Sequence, residues 1–290
     1  VIIGLVRAAR PKQWVKNLLV FAAPGAAGLL DGVDDLAMTA LMFLAFCMAA
    51  SGTYFVNDLF DIEADRAHPT KRARPIAAGV VPPGVARATG VVLLAGGLAL
   101  SSASGRWQTV AVLAVYVTVT LSYTVWLKHV PIVDLVIIAS GFVLRAAIGA
   151  SAVEVKMSSW FVLCVTFGSL FIVTGKRYAE LREMGHDAAT TRASLEEYTP
   201  GFLRIVLSVS LGAALLSYCL WAFETKEVSG TDLPFYELSI PPMLTALLRY
   251  ALVLEQGHGS APEEIFARDR LLQLMGVAWV IVFGLGVYLS

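Results

Sequence analysis

The sequence predicts an all-α polytopic membrane bundle of nine transmembrane helices, and two observations carry that prediction. Hydrophobic residues make up 57% of the 290 and charged residues only 15%, against about 45–50% and about 25% in soluble domains. The apolar residues are also gathered in blocks of about twenty, the length an α-helix needs to cross a hydrocarbon core of about 30 Å. Backbone amides in lipid must be satisfied internally, so such blocks form helices or a closed barrel, and the lack of strand-like alternation excludes the barrel.

In chain order, spans are expected at 13–31, 36–56, 84–104, 107–127, 131–152, 158–177, 202–223, 236–256 and 270–289. Arg7, Arg10, Lys12 and Lys16 precede or open a full-length first span, which does not read as a cleavable leader. Beginning at valine, the sequence is expected to lack its natural first residues. Long polar stretches, 57–83 and 178–201, follow the second and sixth spans, and the charged segment 257–269 joins the last two. With these spans, 18 of the 22 Lys and Arg fall on one side of the membrane. Only Arg106, Lys156 and Lys226 lie opposite, and Arg145 sits within the fifth span. Because lysine and arginine accumulate in cytoplasmic loops, the long connections are expected to face the cytoplasm. Residues 1–290 then form a single transmembrane catalytic domain whose site is covered by loops 57–83, 178–201 and 257–269. Cys47, Cys164 and Cys219 all fall in apolar blocks and read as small buried hydrophobes, with neither disulfides nor zinc suggested.

The second span runs into Asn57-Asp58-Leu59-Phe60-Asp61-Ile62-Glu63-Ala64-Asp65. If the helix continues, Asp58, Asp61 and Asp65 share an arc of about 60°, with Asn57 at its edge and Glu63 pointing elsewhere. Three carboxylates on one face repel one another unless a cation lies between them. A few hard oxygen ligands, completed by diphosphate oxygens, describe a magnesium site on a phosphorylated substrate. Asn57, Asp58, Asp61 and Asp65 are therefore the candidate Mg2+ ligands.

Just downstream stand His68, then Lys71, Arg72, Arg74-Pro75-Ile76 and Gly79. Three cations within four residues suit the phosphate oxygens that a metal leaves uncovered, or serve as a positive-inside anchor. The sixth span ends comparably, in Lys176-Arg177-Tyr178-Ala179-Glu180 and on through Arg182, His186 and Asp187. Lys176 and Arg177, steadied by Glu180, are a candidate phosphate-binding pair or another anchor, and two such helix mouths on one side suit a shared cavity. Tyr123 and Lys128, after the fourth span, are further candidate phosphate contacts, while Trp126 reads as part of an aromatic belt. Arg145 is costly in lipid and is expected to face the interior, where it either binds an anionic substrate or pairs with a carboxylate. The segment 257–269 is either a cap on the site or a polar turn.

The nine spans, the Asn57–Asp65 motif, Arg74-Pro75-Ile76 with Gly79, and Ser122-Tyr123 followed by Lys128 resemble the UbiA-type membrane prenyltransferase superfamily. The resemblance covers nearly the whole chain. It implies a helical bundle in which two acidic loops hold magnesium and a diphosphate over a cavity open to lipid. One departure matters: the second acidic motif of the family is replaced by Lys176-Arg177 and Glu180, which favours a donor carrying more phosphate charge. With Arg10-Pro11-Lys12-Gln13-Trp14, Lys16-Asn17 and Gly141 to Arg145, the pattern is similar to the phosphoribosyl-transferring branch of the superfamily. That resemblance implies 5-phosphoribosyl 1-diphosphate as donor, decaprenyl phosphate as acceptor and Mg2+ as cofactor, in precursor synthesis for cell-wall arabinan.

On this expectation Asp58, Asp61 and Glu180 are the candidate catalytic carboxylates. Lys16, Lys71, Arg72, Arg74, Tyr123, Lys128, Arg145, Lys176 and Arg177 are the candidate substrate contacts. The enzyme is expected in the plasma membrane with its site facing the cytoplasm, without nucleic-acid partners and compatible with a homo-oligomer. Prenyl transfer from a polyprenyl diphosphate to an aromatic or haem acceptor is the enzymatic alternative. An anionic-solute transporter is the alternative of another class, disfavoured because ionisable residues are nearly absent from the spans.

Overall fold

The computed structural model describes residues 1–184, 197–257 and 262–289, and every element among them is helical. The first stretch holds α1 (Ile2–Ala9), a 3-10 helix (Pro11–Phe21) and α2 (Ala22–Ala26). Next come α3 (Val33–Phe60), α4 (Ile62–Ala67), α5 (Pro83–Ser102), α6 (Trp107–Val125) and α7 (Val133–Ala152). The remainder holds α8 (Ser159–Met184), α9 (Pro200–Ser229), α10 (Phe235–Leu238), α11 (Ile240–Glu255), α12 (Pro262–Arg268) and α13 (Arg270–Tyr288). His186, Asp187 and Arg192, and the 258–261 part of the last loop, lie outside the described residues.

Among the described residues, eight helices are long and apolar enough to cross a membrane, matching eight of the nine expected spans. The remaining one, expected at 13–31, is wound differently. Residues Pro11–Phe21 form the 3-10 helix, which starts two residues before the expected span, and only the next five, Ala22–Ala26, are α-helical. A 3-10 helix rises about 2.0 Å per residue against about 1.5 Å for an α-helix, so the sixteen residues still cover roughly 30 Å. The length of a span is kept, but not its α-helical form.

The chain divides into two compact units, the first comprising residues 1–137 and 141–156, the second 138–140 and 157–290. In the first, α3 is the central helix. Its buried Met42, Ala45, Phe46 and Ala49 meet Leu113 and Tyr116 of α6 and Ile148 of α7 in one core cluster. Contact between α3 and α5 is close because small residues face each other: a Cβ on Gly97 would stand 2.8 Å from the Ala45 carbonyl oxygen. Such small-residue contacts let helices approach where lipid offers no hydrophobic drive. A second cluster of Ala8, Phe55, Ile76, Val81 and Ala86 lies under the polar loop. It holds Ile76, two residues from Arg74, against the C-terminal part of α3.

In the second unit, α8 packs along α9 and α11 along α13. Thr199 caps α9 by accepting from the Phe202 N–H at 3.1 Å. Trp221 and Trp279 stack on Phe283, Tyr236 meets it edge-on, and the neighbouring Tyr218 hydroxyl accepts from Trp279 Nε1 and bonds Ser239.

Candidate active site

The Asn57–Asp65 motif does not continue one helix unbroken. Helix α3 ends at Phe60, Asp61 has non-helical angles (φ −97°, ψ 10°), and α4 starts at Ile62. The hydrogen bonds from Asp61 N to Asn57 O (3.0 Å) and from Asp65 N to Asp61 O (2.7 Å) bridge the joint, so the acids remain close to one face. Asp58 and Asp65 are buried and Asp61 is half-buried, while the Glu63 side chain is 94% exposed and points away.

Each of the three acids is met by a cation. Arg74 Nη1 donates to Asp65 Oδ2 at 2.7 Å and to Asp58 Oδ1 at 3.2 Å, so one guanidinium bridges two carboxylates. Arg10 Nη2 donates to the same Asp58 Oδ1 at 2.5 Å. Lys128, on the 3-10 turn Leu127–His129, donates to Asp61 Oδ1 at 2.6 Å, and Asn57 Nδ2 donates to Asp61 Oδ2 at 3.2 Å. The sequence motif, the Arg74 segment and the connection after α6 are thereby brought together.

Arg10 was not among the expected site residues, although its segment belongs to the pattern 10–17. It lies 48 residues from Asp58 and adopts a left-handed conformation (φ 52°, ψ 59°) between α1 and the 3-10 helix. A non-glycine residue held there is strained, and such strain gathers at functional sites. No periodicity in the sequence announces it; the signal was its place at the head of a basic segment.

Whether this group suits magnesium is decided by its donors. Among the described residues no three His, Cys, Asp or Glu side chains converge as a metal cage. Magnesium is ordinarily held by one or two carboxylates together with waters and substrate phosphates, so a cage is not required. Asp58 Oδ2 is buried and has no hydrogen-bond partner, a hard anionic donor left open among charged neighbours. Buried polar atoms are rarely left so without a use. The donor set fits a hard divalent ion.

The other expected residues stand as follows. Tyr123 is half-buried at the end of α6, Lys71 half-buried and Arg72 exposed on the 3-10 turn Lys71–Ala73. The turn is organised by His68, whose Nδ1 accepts from the N–H groups of Thr70 (3.2 Å) and Lys71 (3.3 Å). Burial, and then the charge of Lys71, push the His68 pKa down, which keeps the ring a neutral acceptor. Lys16 donates to Gln13 Oε1 at 2.5 Å. Arg145 is buried, but it takes part in none of the ion pairs among the described residues. Its Nε donates to Asn17 Oδ1 (2.8 Å), Nη1 to the Gly141 carbonyl (2.7 Å), and Nη2 lies 3.5 Å from the Tyr116 hydroxyl. The rings of Phe46, Tyr116 and Phe142 surround its charge at 4.9, 5.2 and 5.3 Å. Of the two alternatives expected for Arg145, the carboxylate partner is not found among the described residues, where an amide and three aromatic faces meet the charge.

In the second unit, Arg177 is buried and donates to Glu180 Oε2 at 2.8 Å, with Lys176 Nζ 3.9 Å from Oε1. Beside them Tyr178 donates to Glu255 Oε2 (3.2 Å) and accepts from Arg204 Nε (3.0 Å), while Arg182 Nη1 donates to the Glu255 carbonyl (2.7 Å). This cluster joins α8 to α9 and α11, and its non-local members Arg204 and Glu255 carried no motif by which to be found.

The family model "UbiA prenyltransferase family" matches residues 18–285. A decaprenyl-phosphate phosphoribosyltransferase of Corynebacterium glutamicum is 44% identical over 99% of this chain and 87% of its own length. One of Mycobacterium tuberculosis is 44% identical over 98% of this chain and 94% of its own. Among solved structures, a UbiA homolog from Archaeoglobus fulgidus bound to GPP and Mg2+ shares the fold with TM-score 0.72 at 16% identity, covering 99% of this chain and 100% of that one. With a helical membrane bundle, a fused acidic and basic centre at the end of α3, and a family match over nearly its full length, the chain belongs to the UbiA prenyltransferase family.

Proposed function

We propose that this protein transfers 5-phosphoribose from 5-phosphoribosyl 1-diphosphate to decaprenyl phosphate, releasing diphosphate, and so supplies a precursor of cell-wall arabinan. The observation that carries this reading is the acidic centre, where Asp58, Asp61 and Asp65 are interleaved with Arg10, Arg74 and Lys128 and one carboxylate oxygen stays open. Such a centre suits a metal-bound diphosphate, because metal and cations neutralise different oxygens of the same group. Near-full-length similarity to phosphoribosyltransferases supports the choice of donor and acceptor. So does Lys176-Arg177 with Glu180, where the family pattern has a second acidic motif.

Asn57, Asp58, Asp61 and Asp65 would hold magnesium, which when bound neutralises the charge of the leaving diphosphate. Lys71, Arg72, Arg74 and Lys128, with Lys16 and Tyr123, are assigned to phosphate oxygens of the donor, and Lys176 and Arg177 to its additional phosphate. In the transfer step an oxygen of the lipid phosphate bonds to C1 of the ribose while the C1–O bond to diphosphate breaks. The electron pair leaves on the diphosphate, and a single displacement inverts C1. The sugar is oxocarbenium-like on the way, and cations aimed at the departing oxygens stabilise that separation of charge. The lipid phosphate is already anionic near neutrality, so no strong base is needed. Asp58, Asp61 or Glu180 orients it or accepts a residual proton. We assign all 290 residues to one catalytic domain in the plasma membrane, with the acidic centre facing the cytoplasm.

The test is transfer itself. Purified protein is given magnesium, labelled phosphoribosyl diphosphate and decaprenyl phosphate, and the lipid phase is extracted. Label is expected in the lipid, lost with chelator and reduced by at least about 100-fold in Asp58→Ala. Folded protein that moves no label, yet prenylates an aromatic or haem acceptor from a polyprenyl diphosphate, would replace this reading with the prenyl-transfer one.

A further inference from the structure

The 3-10 helix Pro11–Phe21 is eleven residues long, although such helices seldom exceed three or four. Its contacts explain how it persists. Three residues per turn place positions i and i+3 on one line. Trp14, Asn17 and Val20 follow that spacing, and the last two are fully buried. Each is fastened. Trp14 Nε1 donates to Ser51 Oγ at 3.0 Å, and Ser51 Oγ in turn donates to the Ala9 carbonyl at 3.0 Å. Asn17 accepts from Arg145 Nε at 2.8 Å and donates to Cys47 Sγ at 3.1 Å. Val20 lies against Gly149, where any Cβ would run into the Val20 carbonyl group. Wound as an α-helix, Trp14 and Val20 would diverge by about 120°, and the stripe would no longer face its partners.

We propose that Asn17 and Arg145 form a polar latch that holds segment 11–21 in its 3-10 winding, and so positions Arg10 on Asp58. Arg10 is the residue immediately before Pro11, and its guanidinium reaches the acid across 48 residues of sequence. Relaxing eleven residues from 3-10 to α winding shortens the segment by about 5 Å, more than enough to move a guanidinium out of hydrogen-bond range. Arg145 fits the latch because a buried cation without a carboxylate is costly unless its donors are used. Here they go to Asn17, the Gly141 carbonyl and the Tyr116 hydroxyl, with three rings around the charge. Arg145 and Asn17 are thus positioning residues, acting on the acidic centre through the segment between them.

This role deepens the transferase function proposed above, so its test includes a readout independent of transfer. Spin labels are placed at Lys12→Cys on the segment and Glu63→Cys on α4, both exposed, with Cys47→Ser, Cys164→Ala and Cys219→Ala removing the natural thiols. Pulsed EPR is expected to give one narrow distance in this background with Asn17 and Arg145 intact, Cys47→Ser leaving a hydroxyl acceptor for the Asn17 amide. That distance should shift or broaden by several Å in Asn17→Ala and in Arg145→Met, and recover in Asn17→Asp, which keeps the acceptor for Arg145. In transfer assays the same two variants are expected to raise the donor KM by about 10- to 100-fold with kcat much less affected, since small misplacements at a charged centre are costly. The double variant should be no worse than the poorer single one, the mark of one shared interaction. An unchanged distance in folded Asn17→Ala overturns the latch whether or not the protein is a phosphoribosyltransferase. A shifted distance in protein that transfers no label leaves the latch standing and removes only the transferase reading. Loss of transfer in Arg145→Met with full transfer in Asn17→Ala would make Arg145 a direct substrate contact instead. If Arg145→Met does not fold, Asn17→Ala and Asn17→Asp decide.

Discussion

At the scale of single residues the centre depends on one guanidinium, Arg74, that serves two carboxylates. It bridges Asp58 and Asp65 at 3.2 and 2.7 Å and is itself only 27% exposed. A lysine keeps the charge but lacks the planar fork that lets one group face two acceptors, so Arg74→Lys is not a mild change. We expect it to lower kcat/KM for the diphosphate donor by about 10- to 100-fold, and Arg74→Met by more, read in steady-state transfer assays. Equal activity of Arg74→Lys and wild type would show that Arg74 contributes charge alone. The acids were legible in the sequence because their spacing matches a helix face. Arg10 was not, because its approach depends on a left-handed backbone at a junction and on how far the following segment rises. Lys128 lies between these cases: its type and place after the fourth span were readable, but its bond to Asp61 is set by tertiary packing.

At the scale of elements, hydropathy located nearly every span but could not give the winding of the first one. An apolar block satisfies the bilayer as α-helix or 3-10 helix, and only the inward stripe of half-buried Trp14 with buried Asn17 and Val20 distinguishes them. The sequence does not single out that stripe, because Val15, Leu18 and Phe21 repeat with the same period and are the more apolar line. The start of α13 is the converse case, a local signal with a local result. Asp269 caps the helix by accepting from the Leu272 N–H at 3.0 Å, and it also receives Arg249 Nε and Nη2 at 3.0 and 2.8 Å. Those bonds, Arg249 first and the Leu272 N–H second, hold its carboxyl below the usual range. A depressed carboxylate adds stability that is present above its unfolded value of about 3.9 and is lost as pH falls through the lower folded value. Asp269→Ala is expected to cost about 1–2 kcal/mol at neutral pH, as loss of a cap and of a charged partner. The stability gap between Asp269→Asn and wild type should narrow as pH falls below about 4. Thermal unfolding in detergent measures both, and a gap independent of pH would remove the charge from the explanation.

At the scale of the whole molecule, the distribution of charge was the most informative feature, because it is a property of sides rather than of contacts. Eighteen of 22 Lys and Arg fall on one side under the expected spans, and the described ion pairs respect that division. Arg10, Arg74 and Lys128 pair with Asp58, Asp61 and Asp65, all on the basic side. So do Arg204 and Arg182 with Glu255, and Arg249 with Asp269. On the sparse side Arg106 pairs with Glu154, and Lys226 with Glu237. No pair among the described residues joins the two sides, so within each unit the ion pairs agree with the charge count. If lysine and arginine mark the cytoplasmic face, a thiol at Glu63→Cys should react with a membrane-impermeant reagent in inside-out vesicles and not in intact cells. Glu154→Cys should show the reverse, each in protein lacking Cys47, Cys164 and Cys219. Both side chains are exposed, at 94% and 75%, so failure to react reports sidedness rather than burial. Labelling of both from one side would break the span count itself, since an odd number of crossings separates the two positions. Labelling in the opposite sense would keep the bundle and turn the acidic centre outward, away from a cytoplasmic phosphoribosyl donor, and the proposed reaction would then lack its substrate.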